Sequence, residues 1–538
     1  MKSGLHIEKN KRMRRNAGEN IIKDYRNNQS ISLAKRIGIE LGGTILFPYV
    51  YWVLEQANKM DIHRLYFVAR DGYVLKEIAD TIIQHKNLDI ETSYIYGSRR
   101  AWRLPSLNEE FDIFLLLEAS SIHKIDSVKK LASVFGLDVQ EIKKYLPYNY
   151  ANEMDKLSLY DIKNIAFALS ESREFRREVV LKQIREKELV VKYMQQKIDF
   201  EEDNFAFVEL SGTGYTQECL ANLLSEVLKQ KSRNFFFRME REIESEVCEF
   251  YVFIKEFIEH GYIIEALCRA PHGQCIGYQE IEGKIVPKLE RLEGLAIQEH
   301  GFDDYLKGVL EITEELEEKS ESMGIEDSLI DGAKRALVNM INTPDKNVLE
   351  YIATMPLEAT GHSNKVKQLA PKFSKEELNA IYGINDGVIV DTGFCLPYSL
   401  LRCSAEDREY IEECKRQKKE YEAKMQYIIP KQFSVAEKYR LPLGSRVIIY
   451  GAGKVGNLLQ NKIIEESINL VAWVDKNYNR YSDEIESVES IQNYDFDIIL
   501  IAVMNSNIAE EIRKDLIAMN IPARKICWIE LREWMEKK

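Results

Sequence analysis

Three short apolar runs in this sequence each end in polar groups able to do chemistry. Leu65 to Ala69 runs into Arg70-Asp71-Gly72, and Glu91 to Gly97 runs into Ser98-Arg99-Arg100. Phe205 to Leu210 carries Glu209 just ahead of Ser211-Gly212-Thr213-Gly214. Carboxylates can hold Mg²⁺ through oxygen or pass protons. Arginine grips phosphate oxygens in pairs, and the amides of small-residue loops cradle anions. Asp71 and Glu209 are therefore candidate acid/base residues and candidate magnesium ligands. His272, between Pro271 and Gly273, is a further candidate base. Arg70, Gly72, Ser98, Arg99, Arg100, Gly212, Thr213 and Gly214 form the candidate phosphate-binding set. Each has a plainer reading beside it: Asp71 as a helix cap, the arginines as surface charges, Glu209 as a buried hydrogen-bonded acid, His272 as a turn residue.

The flanking patterns say what must position these groups. Leu65 to Ala69 reads as a buried parallel strand, and Tyr73 to Asp80 resumes with helical spacing (Val74, Leu75, Ile78, Ala79). With the aromatic strand at 91–97 this makes a βαβ unit, hence parallel and right-handed. Open sheets of this kind place their chemistry at the carboxyl ends of the strands. From about 107 to 203 only charged helical segments are expected, an insertion over the sheet edge, before strands return at 205–210, 234–237 and 250–254. Gly361-His362-Ser363-Asn364 reads as a candidate functional loop, and Asp391 closes another apolar run at 388–390. The charged helix 405–425 lies in a linker of about 401–440.

The last hundred residues read as a separate domain. Gly451-x-Gly453-x-x-Gly456 follows a strand and opens a helix, and Asp475 closes the next strand. This spacing suits a nucleotide whose phosphates sit over the turn and whose ribose meets the acid. The alternative is that the glycines only allow close strand–helix packing.

Composition narrows the class. The 538 residues are 45% hydrophobic and 30% charged, enough for two or three globular domains. A net charge of -13 argues against a nucleic-acid partner. Basic residues crowd the first thirty positions, which suit a loosely ordered terminus. The eight cysteines show no C-x-x-C pair or zinc spacing, as expected of reduced thiols in the cytoplasm. The apolar run 41–54 contains Pro48, and with Gly42-Gly43 it suggests a bent or broken core helix rather than an integral membrane span.

The order of acid-Gly strand end, Ser strand end, helical insertion and acidic strand end resembles the haloacid dehalogenase (HAD) superfamily. FVARDGYVL, YIYGSRRAWRLPS, VELSGTGYTQ, APHGQCIGY and LAPKFS resemble, more closely, a group of HAD-type proteins encoded among bacterial surface-polysaccharide genes. The likeness covers about residues 30–400. It implies a HAD-like parallel sheet with a helical insertion, and Mg²⁺ as cofactor. The implied substrate is a phosphorylated sugar or nucleotide-sugar, with glycan-assembly proteins as further partners. Asp71 falls where the superfamily has its general acid, Ser98 where it has a phosphate-binding Ser or Thr, and Glu209 where it has a magnesium-binding acid. The nucleophilic aspartate belongs two residues before the general acid, and Ala69 stands there. The superfamily's lysine has no clear counterpart; Lys192 and Lys197 are the nearest candidates. Residues 441–538 resemble small Rossmann-like domains attached to sugar-modifying enzymes, which implies a nucleotide, a nucleotide-sugar or NAD as ligand. Three functions remain open: a HAD-like phosphohydrolase or phosphotransferase, a catalytically silent scaffold of glycan assembly, and an NAD-dependent sugar oxidoreductase.

Overall fold

The computed structural model describes residues 31–528, apart from 147–156, 321–325, 358–365, 384–389, 425–433, 479–484 and isolated positions (109, 121, 123, 124, 126, 158, 203, 242, 391, 440, 443, 504 and 505). The basic first thirty residues, the 361–364 loop and Asp391 lie outside the described residues. The chain is mixed α/β and divides into two units after Lys415, within the charged helix Ala405–Lys424.

The first unit is built on a five-stranded sheet, every strand parallel to its neighbours. β1 (Arg64–Val68), β2 (Glu91–Ile95), β3 (Phe205–Gly212), β4 (Ser232–Met239) and β5 (Cys248–Ile254) take the order β2-β1-β3-β4-β5. The strands bury both faces, which is why they read as apolar runs rather than alternating ones. Leu65, Phe67, Val208, Phe235 and Phe237 face one helical layer: α1 (Thr44–Lys59), α2 (Gly72–Lys86) and two later helices, Phe302–Ser320 and Glu326–Asn342. Tyr66, Val68, Phe205 and Phe207 face the other way, against the helices Arg173–Gln195 and Tyr215–Leu223 and a hairpin.

The insertion is helical as expected, with α3 (Arg99–Trp102) leading into it. Its helices are α4 (Ile113–Ala119), α5 (Val128–Val134), α6 (Val139–Lys143), α7 (Leu159–Glu171) and the long α8 (Arg173–Gln195). It has its own core around Leu117, Phe135, Ile162 and Phe175. After it come β3, α9 (Tyr215–Leu223), β4 and β5, then a 3-10 helix, Gly261–Leu267. The stretch 260–300, which carries turn punctuation in its sequence at 271–273, Gly277 and Gly283, contains the antiparallel hairpin β6 (Cys275–Ile281) and β7 (Lys284–Leu289), then α10 (Leu292–Glu299). The hairpin is tied down from within: Trp102, fully buried, donates to Tyr278 Oη at 2.8 Å, and Tyr278 Oη donates to Tyr96 O at 2.7 Å. α11 (Phe302–Ser320), α12 (Glu326–Asn342) and α13 (Lys346–Ala353) follow, with a two-residue ladder of β8 (Pro356–Leu357) and β9 (Lys367–Gln368).

The glycines and proline near the start do not break the helix. The chain stays helical from Leu33 to Lys59, with one π turn at Gly38–Gly43 and Pro48 inside α1. The glycines serve contact: a Cβ on Gly38 would stand 2.2 Å from Tyr305 O, and one on Gly308 2.1 Å from Lys35 O. This stretch is long and apolar enough to cross a membrane, and 78% of its most apolar window is buried inside the structure.

The second unit is a four-stranded parallel sheet in the order β11-β10-β12-β13, from β10 (Arg446–Tyr450), β11 (Asn469–Val474), β12 (Ile498–Ile501) and β13 (Ile526–Cys527). α14 (Lys454–Glu465) and α15 (Ser506–Ala518) belong to separate apolar clusters, which hold alternate residues of β10.

Gly38→Val should be costly, because the new side chain must displace backbone rather than a flexible tip. A loss of about 2 kcal/mol or more is expected, read as a lowered melting temperature with a native-like circular dichroism spectrum below it.

Candidate functional site

Parallel pairing on both sides of β1 sets the geometry. Val68 pairs with Ile95, and Phe67 with Val208, so Asp71 and Ser98, just past the ends of β1 and β2, and Glu209, in the last half of β3, come to one rim. All three line a cavity of about 390 Å³. The insertion completes the wall with Ala119, Ser120, Ile125, Lys130, Ser133 and Val134. Glu265 and Arg269 enter from the 3-10 helix and the residues after it.

Asp71 is not a cap. It occupies the N-cap position of α2, yet its side chain accepts no hydrogen bond from the helix. Burial pushes its carboxyl up to about 7, reinforced by the Glu265 carboxylate and opposed by Arg269 and Arg70. Glu209 is buried, and its Oε1 accepts from Gln217 Nε2. Burial raises this carboxyl well above the usual range, and Asp71 and Glu265 raise it further. Glu265, which accepts from Ser211 Oγ at 3.3 Å, is raised by burial too, against Arg269 and Arg70. Three acids thus crowd one floor. Tyr49 of α1 donates to Glu209 O at 2.6 Å and so fixes the end of β3.

Cations surround that floor. Arg70, Arg99, Arg100, Arg103, Lys130 and Arg269 line the cavity with the three carboxyl groups. Arg70 Nη1 donates to Glu293 Oε2, and Arg269 Nη1 lies 3.6 Å from Glu293 Oε1. Gly212 (φ 143°), Thr213 and Gly214 (φ 80°) form the loop under the cavity. Both glycines hold backbone conformations that a side chain would strain.

Three expected ligands are placed elsewhere or are otherwise engaged. Ser98 lines the cavity, but its Oγ donates to Cys275 O at 2.6 Å while capping Ala101 N at 3.1 Å. Its one hydroxyl hydrogen is therefore not available to a phosphate oxygen. Gly72 is absent from the lining; a Cβ there would meet Phe67 C at 2.7 Å, so this glycine serves the packing of α2 on β1. His272 is also outside the lining, among Tyr73, Tyr94 and Tyr96. Its Nδ1 lies 2.9 Å from Gly273 O, and its Nε2 2.8 Å from Tyr94 Oη. A carbonyl only accepts, so Nδ1 carries the hydrogen and Nε2 accepts from the tyrosine. Burial lowers its pKa, which keeps the ring neutral. These three are corrections to the sequence reading: the first two glue the site together, and His272 holds an aromatic cluster beside it. Of the lysine candidates, Lys192 pairs with Glu188 at 2.5 Å, and neither Lys192 nor Lys197 lines the cavity.

Sequence reasoning missed Glu265, Arg269, Arg103 and Glu293. The signal was there for Glu265 and Arg269: two charged residues in the otherwise apolar run GYIIEALCRA. Among the described residues no group of three or more His, Cys, Asp or Glu side chains is arranged to hold a metal ion.

In the second unit the glycine turn separates into two jobs. A Cβ on Gly456 would stand 2.0 Å from Gly451 O, and Gly451 itself has φ 115° against Ala502 O. Those two glycines are required by the fold. Gly453, at the start of α14, has no atom within 4 Å of a built Cβ. Asp475 accepts from Ala452 N through Oδ2 and from Asn477 N through Oδ1, both at 2.7 Å, so it braces the loop. Trp473 Nε1 donates to Gly451 O at 2.9 Å from the same strand.

Residues 443–527 match a family model described as C2185-like, N-terminal. The match spans this turn and Asp475. Comparison with curated proteins gives no match to the chain.

Two outcomes follow from the geometry. Asp71 binds its proton more tightly folded than unfolded, so that stabilisation is complete below about pH 4 and is lost as pH rises through about 7. Asp71→Asn removes this loss, and its melting temperature should gain on the parent steadily from acid to neutral pH. In the second unit, Gly456→Ala should destabilise by about 2 kcal/mol or more, while Gly453→Ala leaves unfolding of the unit unchanged in a denaturant titration.

Proposed function

We propose that this protein is a HAD-like enzyme that handles a phosphorylated sugar or nucleotide-sugar in bacterial surface-polysaccharide synthesis, in the cytoplasm. The observation that carries the reading is the cavity: six cationic side chains against three carboxyl groups, in a chain of net charge -13. Such a local excess of positive charge suits an anionic ligand. Asp71, without a capping bond and with its pKa near 7, is suited to give and take a proton at neutral pH. The arginines and the Gly212-Thr213-Gly214 amides would grip the phosphoryl oxygens.

The donor set fits magnesium in a limited sense. Mg²⁺ is held by one or two carboxylates and keeps waters and substrate oxygens for its other positions. Glu209 would hold it, joined by Asp71 only in place of the acid/base role, and the ion would neutralise charge on the phosphoryl group. Ala69, at the cavity wall, offers only a methyl group where an aspartyl-phosphate would form. Transfer to water or to a second substrate without a covalent intermediate on that position is the form of the reaction we favour. Ala69 also favours a second reading, a catalytically silent binding protein of glycan assembly. The second unit we read as Rossmann-like, with Gly453 leaving room for the phosphates of a nucleotide or nucleotide-sugar; an NAD-dependent oxidation there is the weaker alternative.

Turnover of p-nitrophenyl phosphate and a panel of sugar phosphates with Mg²⁺ tests the enzyme reading. Asp71→Asn should abolish turnover and leave the melting temperature at neutral pH equal to the parent's or higher. Magnesium-dependent binding of the same compounds by calorimetry, with no product formed, would support the scaffold instead. Failure of NAD to bind the isolated fragment 440–538 would remove the oxidoreductase.

A further inference from the structure

Two buried arginines of the first unit, Arg238 and Arg269, each have two guanidinium nitrogens without a partner, and of the two it is Arg269 that lines the cavity. Arg269 is 5% exposed, and its Nε and Nη2 have no hydrogen-bond partner within the protein. Its third nitrogen, Nη1, faces Glu293 at 3.6 Å. A buried guanidinium with two unsatisfied nitrogens is costly, and a fold does not keep one for stability's sake. Those two nitrogens lie along one edge of the guanidinium plane, the edge whose paired N–H groups grip two oxygens of a phosphoryl or carboxylate group. Arg269 also lines the cavity, beside Asp71 and Glu265.

Glu293 explains how such an edge could be kept in place. It is fully buried, accepts from Arg70, and lies against Arg269 on its other oxygen. One carboxylate therefore sits between two guanidiniums, both of which line the cavity. Its backbone N–H is held by Glu290 Oε2 at 3.1 Å, at the start of α10. Gly294, the next residue, sits against His272: a Cβ there would be 2.7 Å from His272 Cα. The half-buried cluster around His272 thus supports the segment that supports the arginines.

We infer that Arg269, held by Glu293 beside Arg70, is the anchor for the ligand's phosphoryl group, gripping two of its oxygens through Nε and Nη2. The inference rests on the anion-binding reading of this cavity and says which side chain carries it. Ser98, whose hydroxyl hydrogen is engaged by Cys275 O, does not have that role.

The test uses the full-length protein with inorganic phosphate as the probe and malonate as a carboxylate control, both by titration calorimetry. Arg269→Met keeps the volume but has no N–H. Arg269→Lys keeps the charge but not the paired edge. Phosphate should bind the parent, at least tenfold more weakly to the Met variant, and closer to the Met variant than to the parent for Lys. The melting temperature of the Met variant should stay within about 5 °C of the parent's, because relief of the two unsatisfied nitrogens offsets loss of the 3.6 Å pair with Glu293, which keeps Arg70. Equal phosphate affinity of parent and Met variant overturns the anchor and leaves the phosphate reading standing. A melting temperature lowered by more than about 5 °C makes Arg269 a structural residue and also overturns it. If the parent ignores phosphate but binds malonate through Arg269, the anchor holds and the phosphoryl reading falls. If the parent binds neither anion, both fall.

Discussion

The site depends on β1 being hydrogen-bonded on both flanks. Arg64 pairs with Glu91 on one side and with Phe205 on the other, and the ladders run in step to the carboxyl ends. Because parallel strands point the same way, this brings together chain ends separated by more than a hundred residues of insertion. A slip of one residue in the β1–β3 ladder would turn Glu209 to the other face of the sheet and remove it from the rim. The buried aromatic pairs Tyr66–Phe205 and Tyr66–Phe207, with ring centres 5.5 and 5.9 Å apart, oppose such a slip.

Electrostatics then work inside that frame. Glu265 is raised by burial, and Asp71 and Glu209 by burial and by neighbouring carboxylates, while Arg70 and Arg269 lie beside them against the buried Glu293. An ion network removed from water adds little net stability, because desolvation offsets attraction. What it does is fix the direction of charged groups around a cavity. The fold keeps three strained acids and an unsatisfied arginine together, at the place where chain ends meet and the insertion closes over them.

Much of this was legible in the sequence, for physical reasons. Buried parallel strands are apolar on both faces, so 65–69 and 205–210 stand out, and the polar groups at their ends mark the rim. The insertion was visible because α7 and α8 carry helical spacing with no strand run among them. The hairpin β6–β7 escaped because Gly277 and Gly283 read as punctuation; both have positive φ, and Gly283 is the turn itself. Glu265 and Arg269 escaped for another reason. They sit in an irregular stretch with no strand end to mark them, and only the packing of α10 and the 3-10 helix brings them to the cavity. Ser98 and His272 show the reverse limit: residue type and spacing were right for a ligand, but the hydroxyl and the ring had partners in Cys275, Gly273 and Tyr94 that no local pattern foretells.

The glycine contact between the first described helix and α11 has a consequence for how the protein is made. Gly38 and Tyr305 touch, and so do Gly308 and Lys35, across more than 260 residues of chain. During synthesis the far side of the stretch from Leu33 to Lys59 can settle on the sheet as soon as β5 is made, but its glycine face stays open until α11 follows. A chain cut short before α11 would leave that face bare on a helix apolar enough to satisfy a bilayer.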